Sequence, residues 1–158
     1  GAANLFLWVA PSEGRRHITV TERRCAGDVA HALREVVDAF PEAERIVLLT
    51  DNLNVHAPAS LSKTFPRAEA RRILARLEWH YTPKHGSWLN LAEVELAALH
   101  GQCLERRIPD IATLQQEVDA WAADRNARRK TISWSFTADD AYRKLRHVYP
   151  TPNDDSVR

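Results

Sequence analysis

The chain has 158 residues, of which 44% are hydrophobic, and this is enough for one compact domain with a buried core. Its 22 basic and 21 acidic side chains leave a formal net charge of +1, so contact with nucleic acid has to use local patches. Cys25 and Cys103 are too few for a disulfide framework and lack zinc-ligand spacing. The sequence contains no run of about eighteen apolar residues, the length that a membrane-spanning helix needs. We therefore expect a cytoplasmic protein that does not contact a membrane.

The pattern of apolar residues predicts an α/β fold. Residues 4–10 and 17–21 read as two strands joined by a turn, and residues 46–49 are a continuous apolar run typical of a strand covered on both faces. The order strand, helix, strand implies a crossover connection and at least one parallel pair. Helical spacing of apolar side chains predicts helices at 27–40, at 59–77 with a break near Pro66, at 88–106 with Ser87 as its cap, after Pro109, and after a capping box at 137–140. Residues 1–150 then form one domain, and residues 151–158 form a polar tail.

Two carboxylates are the first candidates for a functional site. Asp51 directly follows the predicted strand 46–49, the position where open α/β sheets place their ligands. Glu93 lies early in the predicted helix 88–106, on the face away from its predicted core stripe of Leu89, Leu96 and Leu99. Glu95 competes for the same role, but it lies about 200° from Glu93 around the helix, so only one of them can face a given metal.

Oxygen ligands on rigid elements, next to positive charge, suit Mg²⁺ (or Mn²⁺) and phosphodiester chemistry. Asp51 would be the ligand from the strand end and Glu93 the ligand from the helix. The alternative interpretations are that Asp51 only turns the chain and that Glu93 is a solvated glutamate favoured by the helix dipole.

Basic residues near these carboxylates are candidates for contact with a phosphate backbone. Lys84, His85 and the backbone amides around residue 86 would suit a phosphate. His56 is a similar candidate, although for both His56 and His85 a structural role is somewhat more common than contact with a phosphate or scissile group. Arg71 and Arg72 belong to an arginine-rich helical segment that forms either a DNA-facing ridge or a solvated face.

Two stretches carry a resemblance to a known family. The pattern Asp-Asn-Leu-Asn-x-His at 51–56 and the pattern His-Tyr-Thr-Pro-Lys-His-Gly-Ser-Trp-Leu-Asn-x-Ala-Glu at 80–93 resemble the DDE transposases of bacterial insertion sequences related to mariner elements. Further similarity at 102–108 and 134–137 extends the likeness over about residues 3–150. A different RNase-H-like nuclease, such as a junction resolvase, is disfavoured by the motif at 80–93, which is centred on Trp88.

The resemblance implies an RNase-H-like fold, in which a mixed sheet is flanked by helices. It also implies that three carboxylates bind two Mg²⁺ or Mn²⁺ ions that activate water, and then a DNA 3′-hydroxyl, for attack on phosphodiesters of double-stranded DNA. By position, Asp51 corresponds to the second carboxylate and Glu93 to the third.

The first carboxylate of the family has no counterpart in this chain. It lies on a strand upstream of the one that matches residues 4–9, and Glu13 and Glu22 do not fit its position. We therefore expect a C-terminal portion of a catalytic domain, with the first strand missing, that is inactive alone and exposes a sheet edge favouring a homodimer. The alternative is a non-catalytic DNA-binding or dimerisation remnant of a transposase.

Overall fold

The structure, a computed structural model, describes residues 3–50, 57–82, 90–133, 135 and 137–145, with only the backbone described at 57, 138, 141, 142 and 145. It shows a mixed α/β protein with small sheets and several helices. Within these residues, no helix is both long and apolar enough to cross a membrane.

The strands described form two separate two-stranded sheets. β1 (Asn4–Ala10) and β2 (Arg15–Thr21) pair in an antiparallel hairpin, whereas β3 (Ile46–Thr50) and β4 (Leu77–Tyr81) pair in parallel. The sequence predicted one mixed sheet, and among the described residues no strand joins the hairpin to the parallel pair. A parallel pair was predicted from the order strand, helix, strand over residues 17–49. The structure has a parallel pair, but it joins β3 to β4 and not β2 to β3.

The helices of the described residues agree with the predicted segments to within a few residues. They are α1 (Ala26–Ala39), α2 (Ala57–Thr64), α3 (Arg67–Arg76), α4 (Leu91–Leu99), α5 (Ile111–Ala127) and α6 (Ala138–Leu145). The break between α2 and α3 falls at Pro66 because proline has no N–H to continue the helix. The capping box at α6 is confirmed, since Thr137 Oγ1 accepts from the N–H of Asp140 while the Asp140 carboxylate accepts from the N–H of Thr137.

The predicted start of α4 was wrong, and its predicted core stripe was right only in part: Leu99 is fully buried, whereas Leu89 lies outside the described residues. Its cap is Asn90 and not Ser87, because the Asn90 side chain accepts a hydrogen bond from the N–H of Ala92 at 3.1 Å. Leu96, which was placed in the core stripe, is exposed. A π-helical turn, His100–Leu104, then continues α4 towards the chain segment before α5.

Two buried apolar clusters hold these elements together. The first, which we call the α1 cluster, joins α1, α2 and α3 to the start of β4, with Ile46, Leu48 and Trp79 packed against it. Its buried members are Ala30, Leu33, Val37, Leu61, Ala70, Ile73 and Leu77. The second, the α5 cluster, joins the hairpin, the end of α4, the π-helical turn and α5. Its buried members are Ile18, Leu99, Cys103 and Val118.

The prediction that residues 46–49 are covered on both faces was wrong. Ile46 and Leu48 pack against the α1 cluster, but Val47 and Leu49 on the other face are 65% and 44% exposed. Side chains alternate between the two faces of a strand, so an apolar run is covered on both only where a second layer packs on the sheet. Among the described residues, no such layer covers Val47 and Leu49.

Candidate functional site

The two sequence motifs leave the parallel sheet from the same end, the carboxyl ends of β3 and β4. Thr50 and Tyr81 are the last paired residues of β3 and β4, and the N–H of Thr82 donates to the carbonyl oxygen of Thr50 at 2.9 Å. Asp51 follows Thr50 directly, and residue 83 follows Thr82, so the motifs at 51–56 and 80–93 begin side by side. The carboxyl ends of parallel strands are the usual place for a ligand in an α/β sheet.

Four of the predicted site residues lie outside the described residues. They are Asp51, His56, Lys84 and His85. Their assignment to metal or DNA contact stays a prediction.

Two threonine hydroxyls lie at the shared end of the sheet, and no pattern in the sequence singles them out. The Oγ1 atoms of Thr50 and Thr82 are buried and have no hydrogen-bond partner within the described part of the chain, and Thr82 as a whole is only 3% exposed. A buried hydroxyl without a partner costs about 1–3 kcal/mol relative to a satisfied one. This end of the sheet therefore holds two hydroxyl groups that can form a hydrogen bond with a neighbouring residue or a substrate.

Glu93 lies in the first turn of α4 and is exposed. Its backbone N–H donates to the carbonyl oxygen of Asn90 at 3.0 Å, and among the described residues its carboxylate has no hydrogen bond or ion pair. The positive end of the helix dipole favours a carboxylate here. A free, solvent-facing carboxylate is a ligand that Mg²⁺ or Mn²⁺ accepts.

Glu95 is in the opposite situation. It is 1% exposed, its Oε2 lies 2.9 Å from Arg16 Nε, and its Oε1 accepts from Arg125 Nη2 at 2.8 Å. The side chains of both Arg16 and Glu95 are fully buried, so this ion pair lies inside the protein. Because Glu95 is buried and paired with two arginines, it does not compete with Glu93 for a cation from solvent.

The donors among the described residues fit a metal only in part. No group of three histidine, cysteine, aspartate or glutamate side chains within them is arranged to hold an ion. Glu93 fits the role of one oxygen ligand, and its predicted partner ligand, Asp51, lies outside the described residues.

The arginines of α3 have different environments, which the sequence could not distinguish. Arg71 is exposed, whereas Arg72 Nη2 donates to Asp38 at 2.8 Å and Arg72 Nε donates to Glu69 at 2.8 Å. The hydrogen bond that Arg72 donates to Glu69, followed by the one that it donates to Asp38, raises the pKa of Arg72. Contact of Arg72 with a phosphate would therefore have to compete with two carboxylates.

Arg76 of the same helix does not face solvent with them. Its guanidinium donates to the carbonyl oxygens of Val37, Phe40 and Ala43, which lie at or just beyond the end of α1. Arg76 thus stabilises the C-terminal end of α1, where helix carbonyls lack partners.

An open groove of about 690 Å³ lies between the hairpin and α1. Its charged lining includes three arginines and three acidic side chains: Arg15, Arg16, Arg34, Glu35, Asp38 and Glu69. This balance of charge gives the groove no preference for phosphate. Of the predicted site residues that the structure describes, Glu93, Arg71 and Arg72, none lines it.

Comparison with protein families decides the class of this chain. The sequence profile of the DDE superfamily endonuclease family matches residues 1–115, which is more than two thirds of the chain. The chain belongs to the DDE superfamily of endonucleases. This DDE domain matches no curated protein and no solved structure. The match includes both sequence motifs, so the predicted DDE relationship is confirmed, whereas the relation to mariner elements and the origin in an insertion sequence stay predictions.

Membership has consequences for substrate and cofactor. The DDE superfamily acts on DNA and generally depends on divalent metal ions. A transposase-like nuclease activity is therefore the class of function that the DDE domain indicates.

Proposed function

We propose that this DDE domain is the C-terminal portion of the catalytic domain of a cytoplasmic transposase from a bacterial insertion sequence related to mariner elements. Its parent activity is metal-dependent DNA cleavage and strand transfer. The observation that supports this most directly is the common exit of the two motifs from the ends of β3 and β4. Because of this geometry, the segment that begins with Asp51 and the segment that leads to Glu93 leave the sheet next to each other.

In this proposal each motif contributes one metal ligand. Asp51 and Glu93 bind Mg²⁺ or Mn²⁺, while Lys84, His85 and His56 contact the DNA backbone and Arg71 extends the contact along α3. Bound metal would activate the attacking hydroxyl and stabilise the leaving oxygen of the phosphodiester. The protein residues orient the DNA and hold the ion.

The proposed arrangement is RNase-H-like, with a further strand that would join the hairpin to the parallel pair. The unpaired edges of β1 and β3 among the described residues support it. Neither strand of the hairpin has an aspartate or glutamate that could serve as the first carboxylate. We therefore expect the 158-residue chain to bind one metal ion weakly and to carry out no strand transfer alone.

Metal binding is the first test. Mn²⁺ titrated into the chain, and followed by loss of its free-ion electron paramagnetic resonance signal, should show one site that Asp51→Asn and Glu93→Gln each abolish. Glu105→Gln is the matched control, because it removes an exposed carboxylate after the π-helical turn. Binding that survives both site substitutions would contradict the proposed ligands.

Assays of DNA cleavage and DNA binding distinguish the two functions that the sequence leaves open, a catalytic transposase portion and a non-catalytic remnant. Nicking of supercoiled plasmid that needs Mg²⁺ or Mn²⁺ and disappears in Asp51→Ala would show residual catalysis by the chain. Duplex binding that is unchanged by EDTA and by Asp51→Ala, without nicking, would favour the non-catalytic DNA-binding remnant.

The exposed face of β3 favours dimerisation as a second function. Val47 and Leu49 are exposed, and the edge of β3 away from β4 has no partner strand among the described residues. An apolar strand with a free edge pairs readily with another chain. Light scattering should show a homodimer that Val47→Lys converts to a monomer, and a chain that is monomeric without this substitution would exclude this function.

A further inference from the structure

The two glutamates of α4 point in opposite directions, and one of them is held tightly. Residues two positions apart on an α-helix are about 200° apart around its axis. The rotation of α4 that buries Glu95 is therefore the rotation that turns Glu93 towards solvent. Whatever fixes Glu95 also fixes the direction of Glu93.

Glu95 is fixed by two other elements of the fold. Arg16 comes from β2 and has a fully buried side chain, and Arg125 comes from α5 and is 18% exposed. Arg125 contributes both Nη2, at 2.8 Å, and Nε, at 3.2 Å, to the two carboxylate oxygens. Such a two-pronged contact restrains the orientation of the carboxylate as well as its position.

Each guanidinium is in turn held in place. Arg16 Nη1 donates to the carbonyl oxygen of Gly14 at 3.2 Å, and Arg16 Nη2 donates to that of Lys130. The Arg125 guanidinium lies 4.9 Å from the centre of the Trp121 ring. The ionic cluster of Arg16, Glu95 and Arg125 is thus a rigid connection between β2, α4 and α5.

Apolar packing does not hold the N-terminal part of α4. Apart from Glu95, its only fully buried side chain is Leu99, the last residue of the helix, in the α5 cluster. Val94 and Leu96 are exposed, and Leu91 is only half-buried. Within the part of the chain that the structure describes, Glu95 is therefore the one fully buried side chain in the first two turns that opposes rotation of α4 about its axis.

We infer that Arg16, Glu95 and Arg125 are positioning residues, which set the rotation of α4 and so aim the Glu93 carboxylate. The catalytic meaning of this inference rests on the proposed function, because Glu93 is a metal ligand only there. The rotation itself is a property of the fold and can be measured without a metal.

The orientation of α4 can be measured between two spin labels. Cys25 is exposed, and Ala97→Cys adds a second exposed site one turn after Glu93 on the same face of α4. Cys103 is buried and burial raises the pKa of its thiol, so it reacts slowly with the label. Pulsed electron paramagnetic resonance on the full labelled chain then gives the distribution of distances between the start of α1 and the last turn of α4.

We expect a narrow distribution that broadens or shifts in Glu95→Gln. Arg125→Lys is a milder second variant, because lysine keeps the charge but loses the two-pronged contact, and it should give a smaller change in the same direction. Val118→Ala is the matched control, since it opens a cavity in the α5 cluster without removing any member of the ionic cluster. The inference is wrong if both charge variants keep the narrow distribution, or if Val118→Ala broadens it equally.

Mn²⁺ affinity links the rotation to the proposed site. Loss of a residue that orients a metal ligand typically weakens binding by 10-fold to 100-fold, so Glu95→Gln should raise the Kd for Mn²⁺ by at least about tenfold, whereas Val118→Ala should leave it nearly unchanged. A Glu93-dependent Kd that stays the same in Glu95→Gln would overturn the inference and leave the proposed function intact. If Mn²⁺ does not bind the unmodified chain, the proposed function fails, and the distance distributions alone decide whether the cluster sets the rotation of α4.

Discussion

The α1 cluster and the α5 cluster hold their helices by different means. Every buried member of the α1 cluster is apolar, and the nearby Arg76 only satisfies carbonyl groups at the end of α1. Next to the α5 cluster, in contrast, a fully buried arginine, a buried glutamate and a second arginine join the same elements. Apolar burial is non-directional, whereas charged hydrogen bonds have a preferred geometry. The comparison suggests that the region that carries Glu93 needs a defined orientation as well as stability.

The largest effect should come from Glu95→Ala. Burial lowers the pKa of Arg16, and Glu95 opposes that shift, so without Glu95 a charged guanidinium stays buried with less compensation. Removing one partner of a buried ion pair costs about 3–5 kcal/mol in the free energy of unfolding. Urea denaturation measures this loss. Asp124→Asn, which breaks an exposed pair with Arg128, should change almost nothing, and an equal effect of the two variants would contradict the importance of the ionic cluster.

A similar but slightly smaller loss should follow from a cavity in the α1 cluster. Ile73 is fully buried, and truncation of such a side chain in Ile73→Ala costs about 2–5 kcal/mol. The loss should be the same at low and high salt, because no charge is involved. Val47→Ala is the control on the exposed face of β3, and a loss in it as large as in Ile73→Ala would mean that this face is covered in solution.

Gly14→Ala should lower the free energy of unfolding by an intermediate amount, because it disturbs the turn whose carbonyl group at Gly14 accepts a hydrogen bond from Arg16. Gly14 has φ +67°, and a Cβ there would lie 2.6 Å from the backbone carbonyl carbon of Arg129. The left-handed conformation alone costs about 1–2 kcal/mol for alanine, and a backbone neighbour cannot move aside as a side chain can. Gly101→Ala is the control, since nothing lies within 4 Å of its Cβ position, and it should be neutral or stabilising in thermal unfolding. Equal melting temperatures for the two variants would contradict this account.

The smallest effect concerns pH and the start of α5. Asp110 accepts a hydrogen bond from the N–H of Thr113 at 2.7 Å, and this bond holds the pKa of Asp110 below its ordinary value. Because the pKa is lower in the folded state, the contribution to stability is present above about pH 4, the ordinary value of aspartate, and is lost as the pH falls through the folded pKa. The decrease in Tm between pH 7 and pH 3 should therefore be smaller in Asp110→Asn than in the unmodified chain. Glu105→Gln should leave that decrease unchanged, and an unchanged decrease in Asp110→Asn would show that the cap does not contribute.

Local signals in the sequence predicted much of the secondary structure. The apolar spacing of residues 27–40 corresponds to α1 within one residue at each end, and Pro66 separates α2 from α3 as expected. The capping box at Thr137 and Asp140 was also recognised, because both partners lie within one turn. These features depend on neighbours in the sequence, so the sequence is sufficient to find them.

Long-range contacts were not predictable in the same way. Glu95 has no local sign of burial, since its two partners come from β2 and α5, and a pattern of apolar residues does not show which charges meet. Likewise, nothing in the run 46–49 shows that a covering layer is present only over Ile46 and Leu48. For the site, the sequence correctly placed Glu93 on the face of α4 away from the core, although it chose Leu96 in place of Glu95 for the buried side.

The π-helical turn His100–Leu104 has a consequence for how this chain tolerates change in length. Such a turn contains one residue more than an α-helical turn, so it can absorb the loss of one residue with little rotation of the residues that follow it. Deletion of Gly101 would convert it to a regular turn and move Gln102 one position closer to α4. Gln102 would then lose its place opposite the Trp121 indole N–H, which donates to it at 2.9 Å. A single-codon deletion here would thus act mainly within the turn and on its contact with α5.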